Sequence, residues 1–152
     1  MRGSVSILSC YAAGLLGALF VSAGVGTWYD ALAKPWFYPP TWTFAPVWLV
    51  LYACMAAALY IVWSADPDAS EAKGWVPLFF AHLCANACWT ILFFGFHSVL
   101  IALIDMLCLL VAVALLLLGS WNIDRRATFF LAPYFAWVCF AAVLNASIWY
   151  LN

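Results

Sequence analysis

The fold is decided by residues 107–118, which read LCLLVAVALLLL. A membrane β-strand alternates apolar and polar residues, and this run has no such alternation. The apolar stretch extends from about Ser98 to Gly119, and Asp105 is its one charged residue. Because about 20 helical residues, at about 1.5 Å each, span a hydrocarbon core about 30 Å thick, the stretch predicts a transmembrane helix.

The rest of the chain has the same character. Of its 152 residues 70% are hydrophobic and only 7% are charged, whereas soluble domains carry about 25% charged residues. This composition excludes a cytoplasmic globule, a disordered chain and an electrostatic nucleic-acid binder. Since backbone amides in lipid must be paired internally, we expect an all-α integral membrane protein. Its single domain, residues 1–152, would be a bundle of five transmembrane helices, at about 5–26, 43–63, 76–96, 98–119 and 128–151.

The connections between these spans differ in kind. Residues 65–75 predict a water-exposed turn, 96–98 a tight hairpin, and 121–126 a polar connection. Residues 27–42, TWYDALAKPWFYPPTW, are too apolar and too rich in Trp and Pro for a flexible linker. We expect this segment to fold over the bundle as an ordered cap on a ligand pocket.

The basic residues predict the orientation, because cytoplasmic loops are enriched in Lys and Arg. Arg2, Lys73, Arg125 and Arg126 fall on one side of a five-span topology, and only Lys34 falls on the other. We therefore expect a cytoplasmic N-terminus in a bacterial inner membrane, with an outer membrane as the alternative. The first span is expected to be retained, because its apolar run is longer than that of a signal peptide.

The chain has ten Trp. Trp28 and Trp36 lie in the segment expected to cap the bundle, and the other eight divide into two groups. Membrane proteins place Trp at the two interfaces, and this accounts for those near the ends of spans: Trp42, Trp63, Trp75, Trp121 and Trp149. Trp48, Trp89 and Trp137 lie within spans, where an indole N–H needs a partner or a cavity to face. Two interpretations stay open, namely packing between helices and an aromatic pocket for a flat hydrophobic ligand.

Polar residues within the spans give a second signal. His82 and Asn86 are four residues apart and therefore share a helix face, while Asp105 and Asn145 lie in the fourth and fifth spans. Intramembrane polar residues usually face the bundle interior or a cavity. They predict either pocket-lining groups or structural ones, with interhelical hydrogen bonds for the Asn residues and a protonated carboxyl for Asp105.

The six cysteines all fall within the spans. Cys84 and Cys88 are one helical turn apart and close in sequence to His82, which raises the question of a metal site. Structural zinc usually needs four ligands, so we interpret these cysteines as apolar filler and expect no metal.

Taken together, motifs across nearly the whole chain resemble the TspO/MBR family, that of the tryptophan-rich sensory protein and translocator protein (peripheral-type benzodiazepine receptor). They are WYDALAKP at 28–35, PPTW at 39–42, PVW at 46–48, LY at 51–52, NACW at 86–89, FFG at 93–95, Asp105, PYFAW at 133–137, FA at 140–141 and LN at 144–145.

The resemblance implies a five-helix bundle, commonly a homodimer, whose first loop covers a ligand pocket. Family members bind porphyrins such as protoporphyrin IX and haem, and several bind sterols or benzodiazepine-type drugs. By this resemblance Trp48 and Trp137 match two pocket tryptophans tied to light- and oxygen-dependent porphyrin breakdown. Tyr29 matches a loop residue over the pocket, Asn86 a pocket-lining residue, and Ala141 a small residue that affects ligand affinity.

The expected ligand-binding set combines both lines of reasoning. It comprises Tyr29, Trp36, Trp42, Trp48, Tyr52, His82, Asn86, Trp89, Asp105, Trp137, Ala141 and Asn145. His82 is a departure, because relatives often carry Gln or Asn there. Imidazole can ligate haem iron, so axial ligation is a hypothesis beside plain hydrogen bonding. The last residues, 148–152, contain no Lys or Arg, and we expect no dedicated sterol recognition.

The function predicted from the sequence is a membrane-embedded binding and sensing or regulatory protein for porphyrins and related hydrophobic ligands. It would need no obligatory cofactor, since porphyrin or haem is the ligand, and Trp48 and Trp137 would support any porphyrin breakdown. Whether it is an enzyme stays open. A transporter is the alternative, but transporters often show inverted repeats and broken helices, and the sequence shows no repeat.

Overall fold

The computed structural model describes residues 1–24, 28–65 and 70–152. Five of its helices are long and apolar enough to cross a membrane, with mean hydropathies between 1.6 and 3.0. This confirms the expected all-α membrane bundle. The helices are α1 (Arg2–Gly24), the short α2 (Trp28–Ala31), α3 (Phe44–Ser64), α4 (Ser70–Thr90), α5 (Val99–Ile123) and α6 (Arg125–Leu151).

The bundle buries one main apolar core. Helix α6 packs against α5 and α3, and α4 packs against α5 and α1. Met55 and Leu59 of α3, Phe79 of α4, Val113 of α5 and Leu131 of α6 are all fully buried in this core. Large apolar side chains also cover the outside of the bundle, as they do where lipid is the solvent.

The turn between α5 and α6 is shorter than expected. Helix α5 continues to Ile123 and α6 begins at Arg125, so that only Asp124 lies between them. The Asp124 carboxylate accepts a hydrogen bond from the Arg126 backbone N–H at 2.9 Å and forms an ion pair with the Arg126 guanidinium at 2.8 Å. These bonds cap α6, and the hydrogen bond from the Arg126 side chain holds the pKa of Asp124 below its usual value. One capping residue thus replaces the polar connection expected over 121–126.

Helix α4 differs from expectation at both ends. It begins at Ser70, inside the turn expected over 65–75, of which residues 66–69 lie outside the described part. At its other end one π-helical turn, Ile91–Gly95, widens the helix. Residues 96–98 then form the expected tight hairpin, in which His97 has a φ of 54°. Single π-turns occur frequently at functional sites, and this one begins two residues after Trp89.

The loop after α1 is ordered against the end of the bundle, as expected, although Thr27 lies outside the described residues. The Asn152 side chain ties the loop to the end of α6, because it accepts from Ala33 N–H at 2.9 Å and donates to Ala33 O at 3.1 Å. Lys34 Nζ donates to Tyr29 O at 2.8 Å and lies 4.7 Å from the centre of the Tyr29 ring. These contacts close the loop upon itself and upon α6.

Candidate functional site

A small cavity lies between α3, α4, α5 and α6. Its volume is about 10 Å³, close to the space that one water molecule needs. The wall is mostly apolar and aromatic, and the Asn86 amide is its one polar side chain besides the indoles. It is lined by Trp48, Asn86, Trp89, Met106, Leu109, Trp137, Val138 and Ala141.

Trp48 enters this wall from the beginning of α3. Its ring stacks on Tyr52, one helical turn further on, with ring centres 5.3 Å apart and planes inclined by 29°. On its other side the ring of Tyr134, from α6, is centred 6.4 Å away. Trp48 is therefore held between two phenols while it lines the cavity.

Trp137 connects the cavity with the loop. Its ring makes an edge contact with Phe44 at 5.8 Å and a tilted contact with Phe140 at 5.4 Å. Phe44 lies 5.9 Å from Tyr38, and Phe140 lies 6.4 Å from Phe37. Phe37 and Tyr38 of the loop are thus connected with Trp137 of the cavity wall by a series of contacts between aromatic rings.

Trp89 is fixed by hydrogen bonds between helices. Its Nε1–H donates to Asn145 Oδ1 at 2.9 Å, and Asn145 Nδ2 donates to Val99 O at 3.0 Å. The ring also stacks on Phe93 of the π-turn, with centres 5.2 Å apart. Asn145, which was included in the expected ligand-binding set, does not line the cavity. It has the other role considered for it, interhelical hydrogen bonding, and it orients a tryptophan of the cavity wall.

A string of three polar side chains joins α3, α4 and α6 at the cavity. The Tyr52 hydroxyl donates to Asn86 Oδ1 at 2.9 Å, and Asn86 Nδ2 donates to the Tyr134 oxygen at 3.1 Å. All three residues are buried. Because both ends of the Asn86 amide are occupied, its orientation is set before any ligand arrives.

His82 lies one turn below Asn86 on α4 and is outside the cavity lining. It is 1% exposed, its Nδ1 contacts Phe79 O, and its Nε2 has no hydrogen-bond partner. Cys84 and Cys88 are exposed and so face away from it. Within residues 1–24, 28–65 and 70–152, no three His, Cys, Asp or Glu side chains come together as metal ligands.

Asp105 is partly exposed and does not line the cavity, although the next residue, Met106, does. Its Oδ2 is buried without a hydrogen-bond partner in the described structure. The expected protonated structural carboxyl stays a prediction, and the position of Asp105 beside the wall makes it a neighbour of the site.

The expected loop residues separate into two groups. Tyr29 is buried against Phe93 and Phe94, shares a 2.7 Å hydrogen bond with the Tyr38 hydroxyl, and lies outside the cavity lining. Burial raises the pKa of the Tyr29 phenol, so it stays protonated. Trp36 and Trp42 are 95% and 74% exposed, and the structure places both on the surface, away from the cavity.

Sequence reasoning did not include four residues of the site. Met106, Leu109 and Val138 line the cavity as ordinary apolar side chains, and apolar type alone cannot mark a wall residue in a chain this hydrophobic. Tyr134 bonds to Asn86, and it was detectable because it lies three residues before Trp137 and so shares its helix face.

The fold and the cavity define a class of protein, a helical multi-pass membrane protein with a tryptophan-lined interior site. A family model described as the TspO/MBR family matches residues 6–151. The tryptophan-rich protein TspO of Archaeoglobus fulgidus is 38% identical over 97% of this chain and 94% of its own length. The translocator protein of Homo sapiens is 34% identical over 93% of this chain and 82% of its own. Protein CrtK of Rhodobacter capsulatus is 31% identical over 98% and 91%.

The chain therefore belongs to the TspO/MBR family, and it is a multi-pass integral membrane protein.

Proposed function

We propose that this protein binds porphyrins, including protoporphyrin IX and haem, and related hydrophobic ligands in the tryptophan-lined cavity. In this role it senses or regulates, and it promotes light- and oxygen-dependent porphyrin breakdown. The observation that carries the proposal is the convergence of Trp48, Trp89 and Trp137 on one cavity beside the preset amide of Asn86. Small-molecule sites combine such apolar walls with a few fixed polar groups.

Ligand entry requires the cavity to open. Sites for drug-sized ligands measure about 300–1,000 Å³, and this cavity measures about 10 Å³. The contacts of Phe44 with Trp137 and of Phe37 with Phe140 involve rings only, so they can separate without breaking a hydrogen bond. Outward movement of the loop, which breaks the two Ala33–Asn152 hydrogen bonds, together with displacement of Phe44 would free Trp137 to turn. This would make room for the macrocycle beside the small side chain of Ala141.

The chemistry of breakdown follows from the tryptophans. A light-excited porphyrin is an oxidant, and indole is the most easily oxidised side chain of the cavity wall. With both Trp48 and Trp137 required, one electron passes from this pair to the excited porphyrin and leaves a tryptophan radical cation. The reduced porphyrin passes the electron to dioxygen. The reactive oxygen formed beside the ring then oxidises the ring.

The basic residues support a cytoplasmic N-terminus in an inner membrane. At the proposed cytoplasmic end, Arg2 donates to Trp63 O at 2.7 Å and Arg125 stacks on Trp121 at 4.7 Å. Lys34 lies in the loop at the opposite end. We also expect the homodimer that is common in the family, with sterol-like or benzodiazepine-type compounds as further ligands.

Binding is tested by titrating purified protein with protoporphyrin IX in the dark and following tryptophan fluorescence. We expect saturable quenching, with about ten-fold weaker binding by Asn86→Leu because the ligand loses one fixed polar contact, worth about 1.4 kcal/mol. Trp121→Phe is the matched control, because Trp121 is surface-exposed at the far end of α5. Linear, non-saturating quenching that is equal in all proteins would contradict a porphyrin site.

A further inference from the structure

Tyr134 lies between a cavity tryptophan and a buried imidazole. It is fully buried, its ring centre is 6.4 Å from that of Trp48, and it is 5.7 Å from that of His82. The porphyrin chemistry proposed above makes no use of either Tyr134 or His82. Ionisable residues are rare in a membrane interior and usually have a function there. This buried pair, one group oxidisable and the other basic, is therefore a candidate functional pair.

The hydrogen bonds set the protonation of this pair. A backbone carbonyl can only accept, so the contact with Phe79 O places the imidazole hydrogen on Nδ1 of His82. In the resting protein, a second hydrogen on Nε2 would add a buried cation without a counter-ion, which is costly. His82 Nε2 therefore presents a free lone pair, and it has no hydrogen-bond partner in the described structure.

Tyr134 has the complementary free group. Its oxygen accepts from Asn86 Nδ2, and its own hydrogen has no acceptor within hydrogen-bonding reach among the described residues. A free donor and a free acceptor thus lie on two rings in edge contact. Proton transfer between them requires a movement of the rings that brings Tyr134 Oη within hydrogen-bonding reach of His82 Nε2, about 2.6–3.2 Å.

We propose that Tyr134 and His82 form a relay that reduces oxidised Trp48. Tyr134 supplies the electron and His82 accepts the proton. The Trp48 radical cation, formed when a light-excited porphyrin takes an electron that ends on dioxygen, is reduced by one electron from Tyr134. The Tyr134 O–H bond breaks in the same step, and its proton goes to Nε2 of His82. The products are neutral Trp48, a neutral tyrosyl radical and a His82 imidazolium, so charge and electrons balance.

Tyr52 shows why the relay selects Tyr134. It stacks more closely on Trp48, at 5.3 Å, but its hydroxyl donates to the Asn86 amide oxygen. An amide oxygen is too weak a base to keep a proton, so oxidation of Tyr52 has no outlet for it. Among the described residues, Tyr134 is the tyrosine whose ring contacts both the Trp48 ring and the His82 ring.

The relay rests on the proposed porphyrin photochemistry, and its first test uses that reaction. The protein is loaded with protoporphyrin IX, illuminated in oxygen, frozen and examined by electron paramagnetic resonance. We expect a tyrosyl radical that Tyr134→Phe removes and that Tyr60→Phe, an exposed tyrosine on α3, leaves in place. His82→Gln keeps a hydrogen-bonding side chain without a base, and it should lower the tyrosyl signal about 100-fold, the lower range for loss of a general base.

A second arm needs no porphyrin and so separates failure of the relay from failure of the proposed function. A short ultraviolet flash ionises tryptophan directly, and transient absorption follows conversion of tryptophan radicals into tyrosyl radicals. The difference between wild type and Trp48→Phe isolates the radical on Trp48. We expect this component to convert in wild type, more slowly in D2O, and to persist unconverted in Tyr134→Phe and His82→Gln.

Equal conversion in wild type, Tyr134→Phe and His82→Gln would overturn the relay even if porphyrin binds and is broken down. Conversion in the flash experiment without any porphyrin binding would keep the relay and refute the porphyrin site. Far-ultraviolet circular dichroism of each variant shows that it is folded before either arm is interpreted. If His82→Gln does not fold, Tyr134→Phe decides the outcome alone.

Discussion

Replacement of Asn86 by Leu should destabilise the bundle more than any other conservative change at the cavity wall. The Asn86 amide is bonded on both sides, to Tyr52 at 2.9 Å and to Tyr134 at 3.1 Å. Hydrogen bonds between membrane helices are worth about 0.6 kcal/mol each. The Leu side chain also leaves the Tyr52 hydroxyl hydrogen and the Tyr134 hydroxyl oxygen buried without a hydrogen-bond partner. An unsatisfied buried group costs about 1–3 kcal/mol. With two such groups we therefore expect a loss of about 2–6 kcal/mol.

The assay is reversible unfolding in mixed detergent micelles, followed by circular dichroism. Asn86→Leu is compared with Tyr52→Phe, with Tyr134→Phe and with the triple variant that carries all three changes. The triple variant should recover to within about 1 kcal/mol of the wild type, because the groups stranded by Leu are then gone. A cost for Asn86→Leu below about 0.5 kcal/mol, or a triple variant as unstable as the sum of its parts, would refute the polar string as a stabilising network.

Three further predictions concern the cavity, the turn and the loop. Ala141→Leu should overfill a cavity of about 10 Å³, destabilise the bundle by about 1–3 kcal/mol and weaken porphyrin binding, as measured by unfolding and by tryptophan quenching. Asp124→Ala should lower the melting temperature at neutral pH. Because the pKa of Asp124 is lowered in the folded state, the stability difference between wild type and variant is fully present above the ordinary aspartate pKa of about 3.9. It disappears as the pH falls through the lowered pKa of Asp124 in the folded protein. Asn152→Ala should speed hydrogen exchange in residues 28–43, because the loop loses two bonds to α6; unchanged exchange would contradict its anchoring.

The transmembrane helices were predictable from the sequence, because hydropathy averaged over about 20 residues does not depend on the exact position of any one side chain. The five spans, the ordered loop and the inward direction of Trp48, Trp89 and Trp137 all follow from runs of apolar residues and from depth within them. Helix ends were less predictable: α6 begins at Arg125 because a single carboxylate caps it, and such a cap is a local geometric event. The continuation of α5 to Ile123 follows from the same turn.

The limits of the site were harder to predict, since they depend on how each helix is rotated. His82 and Asn86 share a helix face, yet of these two residues Asn86 alone lines the cavity. The His82 side chain lies one helical turn away along α4, outside the lining. Trp36 and Trp42 belong to the same aromatic loop as Tyr29, but the path of the loop turns them outward. Nothing in residue type distinguishes Trp36 at 95% exposure from a tryptophan that faces inward.

The most direct test of the porphyrin site and its chemistry is the light-driven loss of bound protoporphyrin IX in oxygen, followed by absorbance. We expect loss of the ring in the wild type and in the surface control Trp121→Phe. In Trp48→Phe and Trp137→Phe we expect breakdown to be abolished, while binding in the dark is partly retained. Undiminished breakdown in the Trp48→Phe/Trp137→Phe double variant would contradict the central claim that the cavity tryptophans carry out the chemistry.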